Sequence, residues 1–422
     1  MSGGGELRLR AEGRLSALDG PTRRALLERG RSVDAEVSRA VAELIEEVRA
    51  GGEAALRAQA RRFDPAEPAS LEVPRAQWER ALASLEPAVR AALEQAAANV
   101  AAFHRAQLPA PLEVEVSPGV RLGRRADPLR RVGAYVPGGR ASYPSSVLMC
   151  VVPARVAGVD QVVVCSPPGP DGLPAASVLA ACALAGADRV FALGGAGAIA
   201  AMALGAGGVP RVDKVVGPGN AYVSEAKRQL TGLVAIDSPA GPSEILIVAD
   251  GSADPDLVAA ELIAQAEHDP DAAAVLVATD ASLPERVRAA LARRLPEEPR
   301  RAIVAAALAD AGALLVATSA AEAMAFAEEY APEHLLLLVD EPRALLPRVR
   351  SAGTVFLGRA SSVAFGDYMT GANHTLPTGT LARSYSGLST LDFIRWTTYQ
   401  EVAPAAAAAL AGPTAALAEA EG

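Results

Sequence analysis

The chain has 422 residues, half of them hydrophobic, which is enough apolar material for two or more packed cores. Its formal charge of -9, with no basic stripe interleaved with aromatics, excludes nucleic acid as the expected partner and leaves small molecules. No apolar run is long enough for a membrane span, and MSGGGELRLR lacks the core of a signal peptide, so the cytoplasm is the expected location.

Residues 1–30 read as an N-terminal arm with one short helix, Thr22 to Arg29. From Val33 the apolar positions Val37, Val41, Leu44, Ile45 and Val48 keep helical spacing, and the pair Gly51-Gly52 is expected to end that helix. A longer helical region follows from Arg75 to Arg105, where His104 reads as a core residue. At Val132 the texture changes. Short apolar runs now alternate with Ala-rich helical segments, the pattern of a parallel sheet with crossover helices.

The first strands in this pattern are VGAYV from Val132, QVVVC from Gln161, RVFAL from Arg189 and KVV from Lys214. The first leads through PGG to YPSS, hydroxyls at a helix start where backbone N–H groups can hold an anion. The third runs into GGAGAIAA, in which Gly195, Gly197 and Ala200 satisfy GxGxxA. The acidic residue at the fitting distance, Asp213, precedes a strand instead of ending one, and tight strand-helix packing by small residues explains the glycines equally well. The fourth strand leads into VGPGNAYV, a turn that presents Asn220 at a helix start. Cys150, Cys165 and Cys182 lie in apolar surroundings without CxxC spacing, which argues against disulfides and a thiolate zinc site.

After AGPSE comes a second set of strands: EILIVAD, AAVLVATD, ALLVAT, HLLLLVD and TVFLG. The expected fold is therefore α/β, with two Rossmann-like, doubly wound and mostly parallel sheet domains. We expect residues 31–132 and 243–386 to form one domain and residues 133–242 the other. Residues 387–422 are expected to be a helical tail that crosses to a partner subunit, with helix over Leu391 to Val402 and again from Ala405. Before that tail, FGDYMTGANHTLPTG is a long polar loop of the kind that carries function.

Within the second set, QAEHDP closes a helix that Asp254 caps and Pro255 opens. Pro270 ends it, so Gln265 and His268 share one face at the helix end. Alone, such a histidine could simply complement the helix dipole. Taken with Asp367 and His374 of the polar loop, the group offers imidazole, amide and carboxylate donors suited to zinc in a site without cysteine. Glu333 and His334, in YAPEHL, sit where a loop enters a strand, a usual place for an acid/base pair.

The ordered series YVPGGRASYPSSVLM, VDKVVGPGNAYVSEAKRQ, IDSPAGPSEILIVAD, QAEHDP, APEHL, GDYMTGANHTLPTG and SGLSTLDF resembles the histidinol dehydrogenases over nearly the whole chain. The resemblance implies a zinc-dependent homodimer that oxidises L-histidinol through its aldehyde to L-histidine with two NAD, the last step of histidine biosynthesis. It makes Gln265, His268 and Asp367 zinc ligands that also face the substrate, and Glu333 and His334 the acid/base pair. It adds Ser243, His374 and Glu421 as substrate contacts and puts NAD near Tyr135, Gly197 and Asn220. Gly197 stands where many members have a glutamine that contacts NAD, so that contact is expected to be absent or made by backbone. A further zinc histidine is expected a few residues past Glu421, in a continuation beyond Gly422. Two other readings compete: a related zinc/NAD dehydrogenase acting on another small polyol, and a catalytically impaired metal-binding homologue.

Overall fold

The computed structural model describes residues 7–29, 35–138, 141–239 and 241–422. Val33, Gly139 and Ala240, which figure in the expectations above, lie outside them. In chain order the strands begin with β1 (Ala11–Arg14), β2 (Leu112–Ser117), β3 (Val120–Pro128), β4 (Arg131–Tyr135), β5 (Gln161–Ser166), β6 (Arg189–Ala192), β7 (Lys214–Val216) and β8 (Ala235–Ile236). They continue with β9 (Glu244–Ala249), β10 (Ala273–Ala278), β11 (Gly312–Val316), β12 (His334–Leu338), β13 (Thr354–Leu357) and β14 (Ile394–Val402).

Two sheets are parallel throughout, and they are wound alike. One has the order β6-β5-β4-β7-β8, the other β1-β11-β10-β9-β12-β13. Setting β1 aside, each reads third-second-first-fourth-fifth in its own chain order, the winding of a nucleotide-binding half. Strands such as VVVC in β5 and ILIVA in β9 are buried from end to end, because helices cover both faces of a parallel sheet. That burial is why these strands stand out as unbroken apolar runs.

Four expectations need correction. The arm is more than an arm: β1 adds in parallel to the edge of the six-stranded sheet beside β11, and Leu7, Leu15 and Leu26 enter the cores of that sheet. Its helix runs Gly20–Leu27, with the Asp19 carboxylate accepting from Thr22 N at 2.6 Å. The Gly51-Gly52 pair does end the first helix as expected: within Ala35–Phe63 the backbone leaves helical geometry at Gly52 (φ 54°, ψ -126°), a conformation open to glycine, and a second helix then runs on to bury Leu56, Gln59 and Ala60. The region from Arg75 to Arg105 is two helices, Arg75–Ala83 and Pro87–Arg105, the second opened by its proline.

Packing also regroups the chain. Trp78, Leu93 and Val100 share a core with β4, β5 and β6, while Val41, Leu44 and Leu56 pack on the other face of the same sheet. The helices before residue 106 thus cover the five-stranded sheet, although we grouped them with residues 243–386. Finally, residues 394–402 are a strand and not a helix. β14 pairs antiparallel with β3 from Ile394↔Pro128 to Val402↔Val120, and β2 closes a three-stranded sheet on the far side. Helix Pro404–Glu421 follows as expected.

Candidate active site

The site is built on the amino ends of two neighbouring strands. Glu333 comes immediately before β12 and His334 begins it, delivered by a turn in which Ala331 adopts φ 49° after helix Ala320–Tyr330. β12 lies beside β9, which opens with Glu244. The Glu244 N–H donates to Glu333 Oε2 at 2.7 Å, and the Glu244 carbonyl accepts from His334 Nδ1 at 2.9 Å. That second bond assigns the proton to Nδ1 and leaves a lone pair on Nε2. Among the described residues the buried His334 Nε2 has no hydrogen-bond partner, and it lies 3.8 Å from Asp367 Oδ1.

Burial sets the charge state of both groups. Desolvation lowers the proton affinity of His334, and the nearby rings of His268 and His374 push the same way against the Asp367 carboxylate. His334 is therefore neutral, and its 3.5 Å approach to Glu333 is not an ion pair. Burial lifts Glu333 well above the usual carboxylate range, the carboxylates of Glu244 and Asp367 add to the effect, and the Glu244 N–H and Arg29 oppose it. Burial thus drives the two groups in opposite directions, Glu333 toward holding its proton and His334 toward the neutral imidazole.

His268 and His374 repeat the pattern of His334. His268 Nδ1 donates to Ala264 O at 2.8 Å, and His374 Nδ1 donates to Asp367 O at 2.8 Å. Three rings thus commit Nδ1 to a backbone carbonyl and keep Nε2 for something else. His374 Nε2 lies 3.4 Å from Ser146 Oγ, at the start of the helix that follows β4, and Asn373 Nδ2 donates to Met149 O of that helix at 2.8 Å. The polar loop thereby reaches from one sheet to the other. Gln265 is buried on helix Pro255–Ala266. One turn before it, Glu261 accepts from Val363 N at 3.3 Å, and Val363 stands one turn before Asp367. Burial raises Glu261, and the Asp367 charge raises it further, so the two short helices lie side by side. Ser243 precedes Glu244, and its carbonyl accepts from Ala273 N at 3.1 Å.

Among the described residues no group of three or more His, Cys, Asp or Glu stands ready to hold a metal ion. The expected set of Gln265, His268 and Asp367 has only two residues of those types. Glu421 is exposed, and no hydrogen bond or ion pair among the described residues joins it to the cluster.

The expected NAD residues gather at the carboxyl ends of the five-stranded sheet. Tyr135 ends β4, is buried, and accepts from Gly195 N at 3.1 Å; burial pushes its hydroxyl up to about 12. Gly217, at φ 112°, packs so closely that a Cβ would stand 2.1 Å from Tyr135 O. Asn220 caps helix Ala221–Leu230 by accepting from Tyr222 N and Val223 N. A cavity of about 380 Å³ lies here, lined by Gln59, Asp64, Gly195, Gly197, Asn220 and Tyr222 among others. Gln59 Oε1 occupies the space of the missing Gly197 side chain, 2.3 Å from where a Cβ would be. Asp213 is at the other end of the sheet, where its Oδ2 accepts from Arg131 N at 2.8 Å, so it is not the acid of a dinucleotide fingerprint. A larger groove of about 580 Å³ also lies at that end, but Arg131 and Arg211 there are engaged with backbone carbonyls and no catalytic group faces it.

Sequence reasoning missed Glu244, Arg29, Gln59 and Asp64. The first had a signal, a charged residue opening an otherwise apolar strand; the others had none.

A family model described as histidinol dehydrogenase matches residues 27–422. The chain belongs to the histidinol dehydrogenase family. The histidinol dehydrogenase of Methanosarcina barkeri is 46% identical over 398 residues, 94% of this chain and 92% of that protein. That of Halobacterium salinarum is 49% identical over 404 residues, 95% of this chain and 94% of its own. The crystal structure of histidinol dehydrogenase from Elizabethkingia anophelis superposes with a TM-score of 0.93 at 34% identity, covering 98% of this chain and 95% of that one. As a histidinol dehydrogenase family member the chain is an enzyme, an oxidoreductase. No helix among the described residues is long and apolar enough to cross a membrane.

Proposed function

We propose that this enzyme oxidises L-histidinol through L-histidinal to L-histidine with two NAD and one zinc ion per subunit, in the cytoplasm, as the last step of histidine biosynthesis. The observation that carries the reading is the buried pair at the head of β12: Glu333 held by the Glu244 N–H, beside a His334 whose Nδ1 is held by the Glu244 carbonyl and whose Nε2 has no partner among the described residues. A base with an orphaned lone pair in a dry site is poised to take a hydroxyl proton.

The donor set fits zinc. His268 keeps Nε2 available, Asp367 Oδ1 lies 3.8 Å from His334 Nε2, and Gln265 lies one turn before His268. When bound, zinc would supply Lewis-acid polarisation and NAD a hydride acceptor. The chain's own residues do the rest. His334 Nε2 accepts the proton of the alcohol. Glu333, once deprotonated, draws a proton from water for hydration of the aldehyde, and His334 takes the hydroxyl proton of the hydrate in the second oxidation. Ser243 and His374 would hold the substrate's polar groups, and Tyr135, Gly197 and Asn220 would line the NAD side. Glu421 would contact substrate from a partner subunit. A homodimer accounts for the exposed apolar groups Leu410 and Leu417 on the last helix, and Leu112, Val114 and Tyr399 on the three-stranded sheet.

NADH absorbance with histidinol and with histidinal tests the proposal on wild type and on His334→Ala. Turnover of both substrates by wild type, with both lost in the variant, supports it. A wild type that forms NADH from neither overturns it.

A further inference from the structure

The acid/base pair is held by a residue outside the expected site. All the polar groups of Glu244, which is only 3% exposed, are engaged. Its N–H holds Glu333 and its carbonyl holds His334. Its carboxylate accepts on Oε1 from Gly379 N at 2.6 Å and on Oε2 from Arg29 Nη2 at 2.6 Å. Gly379 belongs to the polar loop that carries His374, and Thr378 beside it accepts from Gly241 N. Arg29 is fixed in turn: it donates to Tyr330 O at 2.9 Å and stacks 3.3 Å over the Tyr330 ring.

A buried carboxylate is costly unless paired, and an apolar residue would serve the strand as well as Ile245 to Ala249 do. The hub formed by these contacts, to which Glu333 N adds a donation to Oε2 at 3.4 Å, offsets that cost. We infer that Glu244, neutralised by Arg29, is a positioning residue that aims Glu333 and His334 and joins the His374 loop to them. This rests on the reading of Glu333 and His334 as the acid/base pair.

The test uses the full chain with Arg29→Ala, Arg29→Lys and Glu244→Gln. Arg29→Ala and Glu244→Gln should lower kcat for histidinal about 10–100-fold, the scale on which small misplacements of a reacting group act. KM for NAD and bound zinc should stay unchanged, and Arg29→Lys should fall between. Millimolar guanidinium should restore most of the Arg29→Ala loss, a rescue that a general loss of folded protein would not show. The chain has four histidines, so the ring nitrogens of His334 can be followed directly by NMR; its Nδ1 resonance should move in Glu244→Gln while that of His104 does not. Unchanged kcat in both variants overturns the inference, and so does a loss that guanidinium leaves untouched while KM for NAD rises with it. Should Arg29→Ala fail to fold, Glu244→Gln and Arg29→Lys decide by the same criteria. Glu333→Gln is the control: if it leaves both half-reactions intact, the acid/base reading itself fails, whereas impairment there with silent Arg29 and Glu244 variants overturns the positioning role alone.

Discussion

The two parallel sheets share one winding and use opposite ends of it. In the five-stranded sheet the candidate groups gather at the carboxyl ends of the strands: Tyr135 at the end of β4, Gly195 and Gly197 after β6, Asn220 after β7. This is the usual crevice of an open α/β sheet, where helix N-termini offer N–H groups to an anionic ligand. In the six-stranded sheet the groups stand at the amino ends, Glu244 opening β9 and the Glu333-His334 pair at the head of β12. At its carboxyl end Asp250 ties the loops after β9 and β12 together, accepting from Ser252 N and Ser252 Oγ on one oxygen and from Asp340 N on the other. Winding therefore offers a place for a site without dictating its use. The reversed sheet brings acid and base to face the other sheet's open end through the His374 loop.

If that division is real, variants on the six-stranded side change the chemistry, and variants on the five-stranded side change cofactor affinity. The largest effect is expected from His334→Ala, which should cut kcat for both half-reactions by about 10³-fold or more, measured as NADH formation from histidinol and from histidinal. Glu333→Gln should lower the aldehyde step by about 10²-fold and spare the alcohol step. The pH profiles sharpen the point. Because burial raises Glu333, its base form appears only above the usual carboxylate range, so the wild-type aldehyde rate should climb with pH until that raised value is passed. Because burial lowers His334, its base form persists to lower pH, so the alcohol limb should lie on the acid side of the aldehyde limb. Coincident limbs would break the assignment.

On the other sheet, Gly217→Ala forces a side chain against Tyr135 O at a left-handed φ, and should raise KM for NAD roughly 10-fold with kcat nearly unchanged, at a stability loss of about 1–3 kcal/mol seen in thermal melts. Asn220→Ala removes a helix cap worth about 1 kcal/mol and should raise the same KM less. The smallest effect belongs to Gly197→Ala. The atom in its way is the amide end of Gln59, which can swing aside, so KM for NAD should change by less than about threefold. A large kcat loss from any of these three would dissolve the contrast between the sheets.

Legibility followed burial. Every strand of the two parallel sheets except β1 and the two-residue β8 is visible in the sequence, since two covered faces leave unbroken apolar runs between turn residues. The three-stranded antiparallel sheet was not. β2 is exposed along its whole length, and β14 has its apolar residues at Ile394, Trp396, Tyr399 and Val402, a spacing that does not keep the period of two, with only partial burial, so neither leaves a strand signature. We read no element at β2 and a helix over β14. The helices before residue 106 were visible as helices, but their partner sheet was not, because an apolar face does not name what it packs against.

The sequence by itself determined the local structure: which strands would be buried, the helix end at QAEHDP, the adjacent Glu333 and His334 at a strand head in YAPEHL and the loop bearing Asp367 and His374. Each depends on residues close together in the chain, where periodicity and turn chemistry act. Only the tertiary structure decided the rest. It set Arg29 against Glu244 across 215 residues, gave His334 a lone pair facing Asp367, and put Gln59 into the space left by Gly197. Such pairings arise from how separate elements dock, and proton affinities follow from that docking because desolvation depends on everything packed around a group.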